Sequence, residues 1–132
     1  MVKKWIIILS IITILIAGCI LESNYINNSF LFLEAKLKEY KSVIETTEES
    51  LIDSEENILF VQNLHEEWHG KLKVLKSLIW HSGLKDIEVS LSRIESYVKE
   101  SEKTETIAEL SGIIDYLEHY SEDFTISLEN IL

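Results

Sequence analysis

Three observations predict an all-α protein in which an N-terminal membrane or signal helix is followed by an antiparallel four-helix bundle with a short docked C-terminal tail. An apolar run from Trp5 to Ala17 is broken only by Ser10 and Thr13 and is preceded by Lys3 and Lys4. Beyond it, apolar residues recur at alternating steps of three and four, the spacing of a helix face. The chain has no proline and only four glycines, none adjacent to another, so little in it stops a helix once started.

The N-terminal element comes first. From Trp5 to Leu21 there are 17 uncharged residues, about 25 Å of helix at roughly 1.5 Å per residue, the short end of what crosses a bilayer. Trp5 and Tyr25 would stand near the two interfaces, and the lysines can snorkel. A second reading is a lipoprotein signal. Ile16-Ala17-Gly18-Cys19 resembles a bacterial lipobox, with small residues leading into a cysteine after a basic n-region and an apolar h-region. Processing there would leave Cys19 as an acylated N-terminus, which accounts for a lone cysteine without a disulfide. Residues 1–21 are therefore an anchor or a signal cleaved before Cys19, and residues 22–132 an exported helical bundle. Because Glu22 is the first charge after the run, the nearby positive charge lies wholly on the N-terminal side. The expected location is the cytoplasmic membrane, N-terminus inside and bundle outside, with the lipid bilayer as first partner.

The exported part is one domain's worth of chain. Formal net charge is −11, and −13 once Lys3 and Lys4 are set aside, which argues against nucleic acid or anionic headgroups as partners. Four seams follow. Ile26, Phe30, Leu33, Leu37, Tyr40 and Ile44 form the first; Ile58, Val61, His65, Trp68, Leu72, Leu75 and Ile79 the second. Leu84, Ile87, Leu91, Ile94 and Val98 form the third; Ile107, Leu110, Ile114 and Leu117 the fourth. The breaks carry end signals: Asp53 and Ser54 as N-caps ahead of Glu55 and Glu56, Gly83 as a helix stop, and Thr104 with Glu105 opening the last helix. Gly70 and Gly112 fall inside helices, each costing about 1 kcal/mol relative to alanine unless close packing offsets it. The alternation of Phe124, Ile126 and Leu128, with Ile131-Leu132 after it, predicts a short extended piece docked in a groove of the bundle.

One pattern has sharp chemistry. His65-Glu66-Glu67-Trp68-His69 fits H-E-x-x-H, in which two histidines one helical turn apart hold Zn²⁺ and the glutamate activates water. Glu88, 19 residues beyond His69, stands where a third ligand could come from the next helix. Against this, the seam spacing puts His65 and Trp68 on one buried face, so the pentapeptide reads first as core with a polar member. The acidic stretch Glu45, Glu48, Glu49, Asp53, Glu55 and Glu56 lacks the alternating ligands and turn glycine of a calcium loop and reads as a solvated connection. His81 could cap helix-end carbonyls, His119 reads as surface, and Tyr97, Tyr116 and Tyr120 as edges of the core.

Trp68, the segment Trp80-His81 through Leu84-Lys85-Asp86-Ile87-Glu88-Val89-Ser90-Leu91-Ser92-Arg93-Ile94 to Tyr97, Ala108-Glu109-Leu110 and Leu128-Glu129-Asn130-Ile131-Leu132 together resemble domain-of-unknown-function family 4363. The resemblance covers roughly Leu21 to Leu132 and implies a small membrane-anchored helical protein of a spore-forming Gram-positive bacterium, with no assigned activity. Family-typical sequences carry acidic residues after the histidine matching His81, where this chain has Ser82-Gly83. They carry the tryptophan without H-E-x-x-H, which counts against a zinc peptidase. Arg93, the only arginine, has a planar fork suited to a carboxylate on a facing helix, or to an acidic group on a partner.

The sequence therefore predicts a structural or protein-interaction module of the cell envelope with an envelope protein as partner, no cofactor and no enzyme activity. The alternative is a small zinc-dependent hydrolase using His65, His69 and Glu88.

Overall fold

The computed structural model describes residues 1–78 and 83–131, with side chains as far as Tyr120. Among them are four helices and no strand: α1 (Val2–Thr46), α2 (Glu55–Leu78), α3 (Gly83–Lys99) and α4 (Lys103–Ile131), with a 3-10 turn at Glu49–Leu51 between α1 and α2. Each helix packs on its two neighbours in a closed ring, α1 on α2, α2 on α3, α3 on α4 and α4 back on α1. Cross-helix contacts fix the directions. Phe30 meets Trp68 while Tyr40, ten residues on, bonds Asn57, so α1 and α2 are antiparallel. Phe30 meets Tyr120 while Lys103 reaches Glu45 and Thr47, so α1 and α4 are too.

The first and third seams are buried at every position expected, since no polar residue interrupts their spacing. In α2 the stripe runs Asn57, Val61, Leu64, Trp68, Leu72 and Leu75. Leu64 therefore takes the core position expected of His65, and the imidazole moves to the edge, half-exposed beside α3. An aliphatic side chain loses nothing by leaving water, whereas an imidazole must find partners there. Ile58 is likewise half-buried. The expected Ile79 lies outside the described residues. In α4 the stripe is Thr106, Leu110, Ile113, Ile114 and Leu117, with Ile107 half-buried.

Among the described residues, Trp68 is the largest fully buried side chain, and it packs its ring against Phe30 at 5.8 Å between centroids. Its indole N–H is buried without an acceptor among the described residues. Tyr40, also buried, stacks on Phe60 at 4.8 Å and 7°, and its hydroxyl donates to the Asn57 carbonyl at 3.0 Å. The buried Asn57 amide in turn donates to the Ile52 carbonyl at 3.1 Å and more weakly to that of Leu51 at 3.4 Å. This chain of polar contacts fastens the α1–α2 turn to the core.

Helix ends follow local chemistry. Ser54 caps α2, its hydroxyl accepting from the Asn57 N–H at 3.3 Å, with Glu55 and Glu56 in the first turn. At the end of α3, Ser101 takes a left-handed φ of 56°. Its N–H donates to Val98 at 3.1 Å, and that of Glu102 to Tyr97 at 2.9 Å, the paired bonds of a Schellman turn. The last helix opens at Lys103, one residue ahead of Thr104. Gly83 is the first residue of α3 and not a helix stop; the intervening 79–82 lie outside the described residues.

The expected extended tail is also corrected, because α4 continues as helix to Ile131. No glycine or proline follows Gly112, and Phe124, Leu128 and Ile131 are spaced four and three apart, so the helical period is satisfied as well as the alternating one.

Candidate functional site

The interface of α2 and α3 carries a row of paired polar side chains. Its origin is local: α2 presents Gln62, His65 and His69 along one edge, and α3 presents Glu88 and Glu95 two turns apart on the facing edge. Because the helices are antiparallel, the pairs match in reverse order. His69 Nδ1 lies 2.7 Å from Glu88 Oε1, and His65 Nδ1 lies 3.8 Å from Glu95 Oε2. Gln62 donates to Glu95 at 3.0 Å and Lys99, one turn on in α3, donates to the same carboxylate at 2.8 Å. The Lys99 bond chiefly holds the Glu95 carboxyl below its ordinary pKa, with Gln62 and His65 helping and partial burial opposing.

Of the three residues proposed as zinc ligands, the fold brings His69 and Glu88 together and turns His65 toward a different carboxylate. Among the described residues, no three His, Cys, Asp or Glu side chains converge where they could hold a metal ion. Glu66 and Glu67 are exposed. The arrangement suits two parallel cross-helix rungs, each joining an imidazole to a carboxylate.

A second polar contact joins α3 to α4. Glu109 accepts from the Ser90 hydroxyl at 2.6 Å, and Arg93 Nη1 approaches it at 3.6 Å. The Arg93 side chain is 59% exposed. Nearby Val89 is the exposed apolar side chain on that face of α3.

The remaining candidates sort simply. Cys19 is an exposed free thiol within α1. Tyr116 and Tyr120 lie half-buried against the core, and His119 is an exposed residue whose ring stands 2.8 Å from the Asp115 carbonyl. Trp80 and His81 are outside the described residues. Sequence reading missed Gln62, Glu95 and Glu109, which carry no motif of their own. It also missed Asn57, although that residue stands four before Val61 and so extends the buried stripe by one step.

Apart from the bundle, α1 has an unpacked half. It is the one helix, among the described residues, long and apolar enough to cross a membrane, and none of its apolar window is buried. A signal sequence would have the same character. Ser10 and Thr13 satisfy their hydroxyls within the helix, donating to the carbonyls of Ile6 and Leu9 at 2.8 Å each, so neither needs water or a partner.

A family model described as Domain of unknown function (DUF4363) matches residues 20–131. The chain belongs to this family. The match begins at the end of the apolar run and covers all of the bundle. No curated protein and no solved structure matches the chain.

Proposed function

We propose that this DUF4363 protein is a membrane-tethered helical module on the outer face of the cytoplasmic membrane, acting as a structural or protein-interaction element and without enzymatic activity. The observation carrying this reading is the continuity of α1. One helix of 45 residues begins as an exposed apolar segment and, from Ile26, becomes a wall of the bundle core. A rod of this kind couples the domain rigidly to whatever holds its first half. Lys3 and Lys4 ahead of the run favour an inside N-terminus, and acylation of Cys19 after cleavage would place the domain on the same side.

The polar face supports binding over catalysis. Its carboxylates are paired with His69, His65 and Lys99, and among the described residues the depressions beside His65 and His69 lie open to solvent, so water is not excluded from a reacting group there. The test is mild crosslinking in membranes followed by capture of the tagged full chain. Specific recovery of an envelope protein, lost on charge reversal at Arg93 (Arg93→Glu) with the fold intact, supports an interaction module. Stoichiometric zinc in the purified protein together with peptide hydrolysis that Glu66→Gln abolishes would overturn it.

A further inference from the structure

We propose that a hollow between α3 and α4 is a socket for a lysine side chain of another protein. This rests on the interaction role proposed above and names its contact. The hollow measures about 260 Å³, and every residue lining it is described. Small-molecule and cofactor sites run from about 300 to 1,000 Å³, so this one is sized for a single side chain. Its floor is apolar, made by the buried Ile87 and Ile113. Two carboxylates line it, Asp86 from α3 and Glu109 from α4, and no lysine or arginine does. Glu109 is held by the Ser90 hydroxyl at 2.6 Å, while Arg93 approaches it at 3.6 Å from outside the lining. Asp86 is exposed and, among the described residues, has no ion-pair partner.

Packing leaves Gly112 unexplained. It sits inside α4, where glycine lowers helix stability, and an added Cβ would meet nothing within 4 Å. Gly112 also lines the hollow, so the missing side chain keeps space there for a guest. An alkyl stem laid over Ile87 and Ile113 would carry a terminal charge to the two carboxylates. Lysine fits better than arginine, whose planar fork grips one carboxylate with two bonds; carboxylates on two separate helices suit a compact ammonium with three donors. Tyr116 is a neutral neighbour for that charge, since burial chiefly, with Tyr120 and Asp86 adding, raises its hydroxyl above the ordinary value of 10.0. A second copy carries the same formal net charge of −11 and is repelled, so the lysine belongs to a different protein.

The experiment treats native membranes containing the tagged full chain with a water-soluble carbodiimide, which joins a carboxylate directly to an amine in contact with it. The linked residues are then mapped by mass spectrometry of the captured product. The result expected is an amide between Asp86 or Glu109 and a lysine of a different protein. Gly112→Leu, which fills the hollow, should reduce that link about tenfold, and Gly112→Ala should reduce it several-fold while raising the melting temperature. Equal linking in the wild type and both variants overturns the socket. Links from other carboxylates alone, with none at Asp86 or Glu109, overturn it too and leave the interaction role standing. A link from Asp86 or Glu109 to a second copy, recognised by mixing isotope-labelled and unlabelled chains, overturns the choice of occupant and with it the proposal. No link to any other polypeptide, at any carboxylate, would overturn the interaction role and the socket together.

Discussion

Trp68 and Tyr40 show how single residues govern this fold. Replacing Trp68 by alanine removes the largest fully buried side chain among the described residues and should cost about 3–5 kcal/mol, read by chemical denaturation. Trp68→Phe should cost clearly less, because the smaller ring also removes an N–H buried without an acceptor among the described residues, a group that costs about 1–3 kcal/mol to bury. Equal losses in the two variants would mean that the N–H is satisfied in solution. Burial raises the Tyr40 hydroxyl above the ordinary tyrosine value of 10.0. Its folded state thus favours the protonated form, and the sign follows: the contribution is complete below about pH 10 and is lost as the pH climbs beyond it. Tyr40→Phe should flatten that alkaline fall in melting temperature while lowering stability at neutral pH by about 1 kcal/mol, the usual worth of one hydrogen bond. An unchanged alkaline slope would place the titration elsewhere. His65, at the edge and not in the core, should tolerate leucine within about 0.5 kcal/mol.

At the scale of the helices, three positions are held below their best local stability. Gly70 and Gly112 have nothing within 4 Å of where a Cβ would stand, so close packing does not explain either one. Alanine at each should stabilise by about 1 kcal/mol, the difference in helix propensity. Ser101 adopts the left-handed conformation for which glycine is suited, and Ser101→Gly should raise stability by about 0.5–1 kcal/mol, the steric relief exceeding the added freedom of the unfolded chain. A lower melting temperature in any of these variants would show a native contact absent from the account. Legibility in the sequence followed the same physics. The seams of α1 and α3 could be read completely because their apolar residues run without interruption. In α2, Asn57 and His65 broke the pattern, and whether the polar or the neighbouring apolar residue enters the core depends on the facing helices. The tail satisfied two periods at once, and only the absence of a helix breaker decides between them. Lys103, which donates to the carbonyls of Glu45 and Thr47 at 3.1 and 2.7 Å and so closes the end of α1, has no local signature because its partners lie far away in the chain. The cross-helix rungs were half legible: His69 and Glu88 follow from spacing, but Glu95 becomes a partner of His65 only through the antiparallel register.

For the whole molecule, the central matter is the proposed tethering of the bundle to the outer face of a membrane. A continuous α1 makes the bundle an extension of the apolar segment, and the excess of acidic over basic residues gives the chain a formal net charge of −11. Glu118 and Lys38 illustrate how charge is balanced at the surface. Their 2.8 Å contact joins α4 to α1 and shifts the carboxyl down and the ammonium up, but both lie in solvent and salt will screen them. The most direct measurement is a pair of fusions after Leu132 in the full chain, one to a phosphatase active only outside the cytoplasm and one to a fluorescent protein that matures only inside. The account predicts a membrane-bound product with high phosphatase activity and no fluorescence. A bright fusion with inactive phosphatase, or a product that remains soluble in the cytoplasm, would contradict it.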